Sequence, residues 1–150
     1  MMEKNQDTKL IGDITELEIL TYITKLGYLV SKPFGDRGRY DQIWDINGLL
    51  LKIQIKTSHA IDDEETGITF SGRSSKRKQG KSVNTRYNEK EVDYFATIYN
   101  GKCYMIPICE VSNIKTLRFD NPKNNQLKNI NFAKDYEVEY ILNKIQENNK

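Results

Sequence analysis

Residues 40–58 read YDQIWDINGLLLKIQIKTS, with one short apolar run on each side of Asn47-Gly48. Asn-Gly between two such runs is the strongest local signal of a β-hairpin, because both central residues of a type I′ turn need a positive φ. A turn at these two residues places Asp41 opposite Gln54. We therefore predict a two-stranded hairpin with its register fixed by the turn.

Apolar and polar side chains alternate along the second strand of this hairpin. Successive side chains of a strand point to opposite faces, so the two sets separate. The set expected to face the core is Leu49, Leu51, Ile53 and Ile55. The opposite face carries Lys52, Gln54 and Lys56. One face is therefore predicted to bring together a carboxylate, an amide and an ammonium group.

The composition is that of one domain outside the membrane. A chain of 150 residues is long enough for one hydrophobic core. No apolar run approaches the ~20 residues that span a bilayer, and the first residues lack the apolar segment of a signal peptide. We expect a cytoplasmic protein with residues 1–150 in a single domain, and with frayed ends at 1–7 and 146–150.

The remaining patterns predict a mixed α/β domain. A second Asn-Gly turn, at Asn100-Gly101, is expected to join two further strands. The predicted elements are a helix over Thr8–Leu26 closed by Gly27, a strand over Tyr28–Lys32, the first hairpin, a strand over Ile68–Ser71, strands over Val92–Tyr99 and Lys102–Ile108, a loop over Phe119–Lys134 and a helix over Tyr136–Ile145. This order predicts a central mixed sheet flanked by helices.

Glu16 lies on the predicted first helix at the spacing of Ile19 and Ile23, which should face the sheet. A carboxylate in that position is costly unless it is paired, hydrogen-bonded or bound to metal. A second interpretation is local, because Asp13-Ile-Thr-Glu16 fits a capping box. Both interpretations remain open.

Residues 73–90 carry a concentration of positive charge that the formal net charge of +2 conceals. The segment has one acid and seven basic residues: Arg73, Lys76, Arg77, Lys78, Lys81, Arg86 and Lys90. Lys and Arg side chains neutralise phosphates, Arg can pair with guanine, and a two-stranded ribbon fits a major groove. The segment is predicted to be a DNA-binding β or loop extension; the alternative is a disordered solubilising loop.

Glu16 on a helix, Asp41 at a strand start and Gln54-Ile55-Lys56 on the next strand together resemble the motif of the PD-(D/E)XK nuclease superfamily. Two positions depart from the usual pattern, Tyr40 before the first acid and Gln54 in place of the second. The glutamine form, the spacing and the chain length are similar to the small homing endonucleases of group I introns in cyanobacterial tRNA genes. The resemblance implies a restriction-endonuclease-like core.

The resemblance also implies a site and its ligands. Mg²⁺, which prefers hard oxygen ligands, would be bound by Asp41, Gln54, the Ile55 carbonyl and Glu16, and Lys56 would orient the attacking water or stabilise charge. Mn²⁺ would substitute, and Ca²⁺ would support DNA binding without cleavage. Arg37 and Arg39, in the loop before Asp41, are expected beside the scissile phosphate unless they are only solvated.

The implied substrate is double-stranded DNA with a near-palindromic site. Cutting both strands requires a homo-oligomer, at least a dimer, since one chain carries one metal centre; the resemblance suggests a tetramer. The enzymatic alternatives on the same core are a Holliday-junction resolvase and a restriction-type nuclease. The alternative from another class is a DNA-binding module that lost activity through Gln54, with Asp41 and Lys56 as an ordinary surface ion pair.

Overall fold

The computed structural model describes residues 7–35, 37–122, 124 and 128–149, excluding the side chains of residues 75–78 and 82–84. The strands are β1 (Leu29–Ser31), β2 (Gln42–Ile46), β3 (Leu49–Ile55), β4 (His59–Ala60), β5 (Gly67–Ser71), β6 (Arg73–Lys78), β7 (Lys81–Arg86), β8 (Tyr94–Tyr99), β9 (Lys102–Pro107) and β10 (Ile114–Arg118). The α-helices are α1 (Thr8–Lys25) and α2 (Val138–Asn148), and single 3₁₀ turns cover Ile108–Glu110 and Ala133–Tyr136. None of the helices in these described ranges is long and apolar enough to cross a membrane.

The predicted hairpin is confirmed to the residue. Strands β2 and β3 are antiparallel, with Trp44 paired with Leu51 and Gln42 with Ile53. Asn47 and Gly48 have φ values of 54° and 100°, as a type I′ turn requires. From Leu51 onward the alternation of faces along β3 is the predicted one, which leaves Gln54 and, just after the strand, Lys56 on the face opposite the buried Ile53 and Ile55. Leu49, which was expected in the core, is instead 39% exposed beside the turn.

A five-stranded mixed sheet with the order β1-β2-β3-β8-β9 forms the centre of the domain. Only β3 and β8 run parallel within it, and the second predicted hairpin supplies β8 and β9. A second, smaller antiparallel sheet has the order β10-β5-β4. The predicted fold class is confirmed, whereas β4 and β10 were not predicted.

Two hydrophobic clusters lie on opposite faces of the central sheet. One is formed with α1 and α2 and includes Ile19, Trp44, Met105 and Leu142. The other joins β8 and β9 to the small sheet through residues such as Phe70, Phe95, Tyr104 and Leu117. This second cluster draws its sheet residues from β8 and β9, while on the same face of the neighbouring β3 the partly exposed Gln54 lies in register with Phe95. The polar face of the first hairpin therefore lies next to the part of the sheet that the second cluster covers.

The basic segment folds as an antiparallel ribbon of β6 and β7 around Gln79-Gly80, so a disordered loop is not what the structure shows. We call residues 73–86 the ribbon. Its base is held by Asn113, whose Oδ1 accepts hydrogen bonds from Arg73 (2.8 Å) and Arg86 (3.1 Å). The ribbon is therefore anchored to the segment before β10.

The ends of the helices differ slightly from the prediction. Helix α1 ends at Lys25 with Leu26 as its C-cap, and Gly27 follows with a φ of 95°. The Gly27 amide donates to the Thr24 carbonyl and the Tyr28 amide to the Ile23 carbonyl, which is the Schellman arrangement. Helix α2 continues to Asn148, beyond the predicted end at Ile145. The tail predicted to fray from residue 146 is thus partly helical.

Candidate active site

A buried glutamine fixes the first strand of the hairpin against α1. Gln42 is fully buried, donates from Nε2 to the Glu16 carbonyl (3.1 Å) and accepts at Oε1 from Trp44 Nε1 (3.0 Å). A second tie joins α1 to the end of β3, where the Thr15 and Thr57 hydroxyls lie 3.3 Å apart. These contacts hold the helix turn that bears Glu16 beside the strand start that bears Asp41.

Asp41 directly precedes β2 and lines a cleft of about 440 Å³. The cleft is lined by Glu16, Lys32, Pro33, Gly35, Gly38, Tyr40 and Asp41. The Asp41 Oδ2 accepts the Ile55 amide (2.9 Å) and its own amide donates to the Ile53 carbonyl (2.8 Å). Burial raises the pKa of Asp41 from 3.8 to about 6; nearby Glu16 adds to the rise, while the Ile55 hydrogen bond and Lys56 oppose it. The cleft therefore destabilises the negative charge on this acid.

Glu16 faces the same cleft and is paired with Lys32, whose Nζ lies 3.5 Å from Oε1. The capping-box interpretation is wrong, because α1 begins at Thr8 and is capped by Asp7, which accepts the Lys9 amide at 3.0 Å. Glu16 lies in the helix interior, more than one turn from the orphan amides of its start. Its carboxylate is thus available to the cleft, as the first interpretation required.

Lys56 follows β3 and is largely removed from solvent. Its Nζ donates to the Arg73 carbonyl (2.7 Å) and lies 3.5 Å from the Tyr87 hydroxyl and 5.0 Å from the centre of that ring. Burial lowers the pKa of Lys56, and the negative charge of Asp41 opposes that change. No ion pair within 4.0 Å joins Lys56 to Asp41 in the described chain, so the simple surface pair is not what holds this lysine.

Arg39 does not point freely into the cleft. It donates from Nη1 to Thr85 Oγ1 (3.0 Å) and from Nη2 to the Arg86 carbonyl (2.9 Å), and its Nε lies 3.2 Å from Glu91 Oε2. The guanidinium carbon lies 4.3 Å from the centre of the Tyr87 ring. Arg39 is therefore a tie between the loop before Asp41 and the end of the ribbon; a phosphate contact from it stays a prediction.

The other predicted DNA-binding residues fall into two groups. Arg73 and Arg86 are at the base of the ribbon and are bonded to Asn113, whereas Arg37 and Lys81 are exposed. The side chains of Lys76, Arg77 and Lys78 lie outside the described residues. The backbone register alone places Lys78 opposite Lys81 next to the turn.

The oxygen atoms around Asp41 can be compared with the ligands that a hard cation such as Mg²⁺ prefers. No group of three His, Cys, Asp or Glu side chains suited to metal occurs in the described part of the chain. Two carboxylates share the cleft, and Gln54 in place of a third acid shares the Asp41 face of the hairpin. The pKa of Asp41 is raised chiefly by burial and further by the charge of Glu16, and a cation bound beside it would favour its ionised form. Two carboxylates with neutral oxygens suit Mg²⁺, so the residues present fit this metal.

Three residues that contact the predicted site residues were not predicted. Gln42 could have been suspected, because it is a polar residue on the apolar side of β2, and such residues need a buried partner. Tyr87 is the sole aromatic residue of the basic segment, and its position in the sequence does not indicate a contact with Lys56. Lys32 carried no sequence signal, since its approach to Glu16 depends on how β1 packs.

Comparisons with known proteins bear on the family and the fold of this chain. The sequence model of a family described as PD-(D/E)XK endonuclease matches residues 6–139, a span that includes the cleft, the hairpin and the ribbon. A solved structure of the bacterial homing endonuclease I-Ssp6803I shares the fold with a TM-score of 0.74 at 23% identity, covering 96% of this chain and 99% of that one. No curated protein matches the chain. Because the family model matches most of the sequence, the chain belongs to the PD-(D/E)XK endonuclease family.

Proposed function

We propose that this endonuclease is Mg²⁺-dependent, sequence-specific for duplex DNA and of the intron-homing kind. The observation that carries the proposal is that the acidic cleft, Lys56 and the base of the basic ribbon all lie where β2 begins and β3 ends. A phosphodiester seated there would lie next to acids, a lysine and a strand pair rich in cations. Residues 1–150 would act as one nuclease domain in the cytoplasm, with 73–90 as its DNA-contacting extension.

Asp41 and Glu16 would hold the metal, with the Gln54 amide oxygen and the Ile55 carbonyl as neutral ligands. When bound, Mg²⁺ supplies charge stabilisation for the phosphate and makes a bound water more acidic, so that it is more easily activated. Lys56, partly desolvated, would orient that water or stabilise developing charge. Gln54 lowers the negative charge of the site by one, which weakens metal affinity without removing the oxygen ligand. Mn²⁺ would substitute in cleavage, and Ca²⁺ would support binding only.

The ribbon would provide affinity and specificity. Contacts from Arg and Lys to phosphates release counterions, and a two-stranded ribbon fits the major groove, where base edges are distinguishable. A solved structure that shares this fold is that of a bacterial homing endonuclease, which supports the proposed homing activity.

Cutting both strands of a near-palindromic site requires at least two copies of the chain, related by a two-fold axis. A row of exposed apolar residues along α1 supports such an assembly: Leu10, Ile14 and Leu17 are 56%, 46% and 61% exposed. Residues at this spacing share one helix face. We propose a homo-oligomer of at least a dimer, and a tetramer on the family resemblance.

The deciding experiment incubates the purified chain with Mg²⁺ and a library of duplexes, followed by sequencing of the cut ends. Recurrent double-strand breaks at one near-palindromic sequence are expected. Preferential cleavage of an added four-way junction would instead select a resolvase. Binding in Ca²⁺ with no cleavage in Mg²⁺ or Mn²⁺ would select the inactive DNA-binding module that Gln54 otherwise permits.

A further inference from the structure

The ribbon and the predicted catalytic lysine meet at Tyr87, a residue that the metal and phosphate chemistry does not require. Tyr87 directly follows β7, and at the base of the ribbon Arg73, which begins β6, is paired with Arg86, which ends β7. The Lys56 ammonium donates to the Arg73 carbonyl and lies beside the Tyr87 ring and hydroxyl. The chain therefore enters the ribbon at Arg73 and leaves it at Tyr87 beside the same Lys56 amine.

Tyr87 is itself held from several directions. Its ring packs edge-on against Phe95, with centroids 5.4 Å apart, and Arg39 lies over it at 4.3 Å. Arg39 in turn donates to Thr85 and to the Arg86 carbonyl, which fixes the end of β7 relative to the loop before Asp41. A cation over an aromatic face is attracted by the ring quadrupole, more so when it is partly desolvated. The ring thus offers one rigid surface to both the Lys56 and Arg39 cations.

We propose that Tyr87 is a positioning residue, which holds the Lys56 amine at the base of the ribbon and couples seating of the ribbon on DNA to the cleavage step. This inference rests on the proposed nuclease function. Tyr87 touches neither the metal ligands nor the reacting phosphate in this assignment. Its effect passes through Lys56, so it should change the rate of cleavage and not the affinity for DNA.

The test compares two substitutions with a matched control. Tyr87→Leu removes the aromatic face while keeping an apolar contact for Phe95, and Tyr87→Phe keeps the ring and removes the hydroxyl. Tyr99→Leu is the control, because Tyr99 also packs against the second cluster but stacks on Phe119 and donates to Glu65, away from Lys56. Folding of every variant is checked by thermal unfolding, and Tyr87→Met replaces the leucine variant if that one unfolds.

The measurements are the single-turnover cleavage rate with Mg²⁺ at saturating enzyme and the Kd for the same duplex in Ca²⁺. A displacement of about 1 Å in a catalytic group can cost roughly a hundredfold in rate, so Tyr87→Leu is expected to cut about 10- to 100-fold more slowly with Kd within about threefold. Tyr87→Phe is expected to recover most of the rate, since the ring remains. Tyr99→Leu should stay within about threefold of the wild type in both measurements.

The proposal is overturned if Tyr87→Leu cuts as fast as the wild type, if Kd rises in proportion to the loss of rate, or if Tyr99→Leu loses as much rate as Tyr87→Leu. Loss of rate in Tyr87→Phe equal to that in Tyr87→Leu would also overturn the role of the ring. A failure of the underlying function looks different: the wild type then cuts no duplex with Mg²⁺ or Mn²⁺.

Discussion

Replacing Asp41 by asparagine is expected to stabilise the metal-free protein at neutral pH while it removes nuclease activity. The cleft raises the pKa of Asp41 from 3.8 to about 6, chiefly by burial and further by Glu16. Each tenfold change in proton affinity corresponds to ~1.4 kcal/mol, so ionised Asp41 costs the fold about 3 kcal/mol at most. Partial exposure reduces this figure to about 1–3 kcal/mol. Asparagine is neutral and keeps an oxygen that can accept the Ile55 amide.

The sign of the pH dependence follows from proton binding. Between pH 3.8 and about 6 the folded chain keeps the Asp41 proton that the unfolded chain has released. Wild-type stability therefore falls as the pH rises through this interval and levels off above it. The advantage of Asp41→Asn should be full at about pH 8 and mostly lost by about pH 4, close to the unfolded pKa of 3.8, where the unfolded chain also begins to bind the proton.

Urea unfolding in EDTA at these two pH values measures the difference. Asp45→Asn is the control, because Asp45 accepts the Gly48 amide (2.7 Å) at the exposed turn and lies away from the cleft. Added Mg²⁺ should stabilise the wild type more than Asp41→Asn, since binding to the folded state adds to stability. The reasoning is refuted if Asp41→Asn is less stable than the wild type at pH 8 in EDTA, or if its gain is the same at pH 4.

Three further substitutions test other parts of the account. Gln54→Glu adds a charged ligand and should lower the Mg²⁺ concentration for half-maximal binding in calorimetry; unchanged affinity would remove Gln54 from the metal site. Gln42→Met keeps the side-chain volume but leaves the buried Trp44 Nε1 without an acceptor and removes the hydrogen bond to the Glu16 backbone carbonyl, so it should cost about 1–3 kcal/mol in urea unfolding, and a near-neutral result would contradict the tie to α1. Lys81→Ala, on the exposed ribbon, should reduce the slope of log Kd against log salt by about 0.9 if this lysine neutralises one phosphate, whereas an unchanged slope would place it off the DNA.

Local signals predicted the fold best. Asn47-Gly48 determined both the existence and the register of the first hairpin, because the turn type depends on two adjacent residues. Asn100-Gly101 did the same for β8 and β9. Strand β10 was not predicted, since its partner β5 lies more than 40 residues away and its own side chains carry no turn signal. Pairings of that range are decided by packing.

The same distinction holds for the site. Alternation along one strand was enough to place Gln54 and Lys56 on one face, with Asp41 joined to that strand through the Ile55 amide. The helical period placed Glu16 near them, although the capping signal at Asp13 was misleading because the helix begins earlier. The contacts of Tyr87 required the ribbon to fold back on β3, and no periodicity within residues 73–90 encodes that return. Sequence therefore predicted the groups on the hairpin, and tertiary packing decided what surrounds them.

The central claim is that the Asp41 cleft performs metal-dependent cleavage of duplex DNA. The most direct measurement is the single-turnover cleavage rate of Asp41→Asn relative to the wild type on the selected duplex, with Mg²⁺ and at enzyme concentrations above the Kd measured in Ca²⁺. A bound metal ion lowers the barrier to hydrolysis by several kcal/mol. Its loss in Asp41→Asn is therefore expected to lower the cleavage rate by about a thousandfold or more, while DNA binding is retained. An Asp41→Asn protein that binds the duplex and cuts it at the wild-type rate would contradict the account.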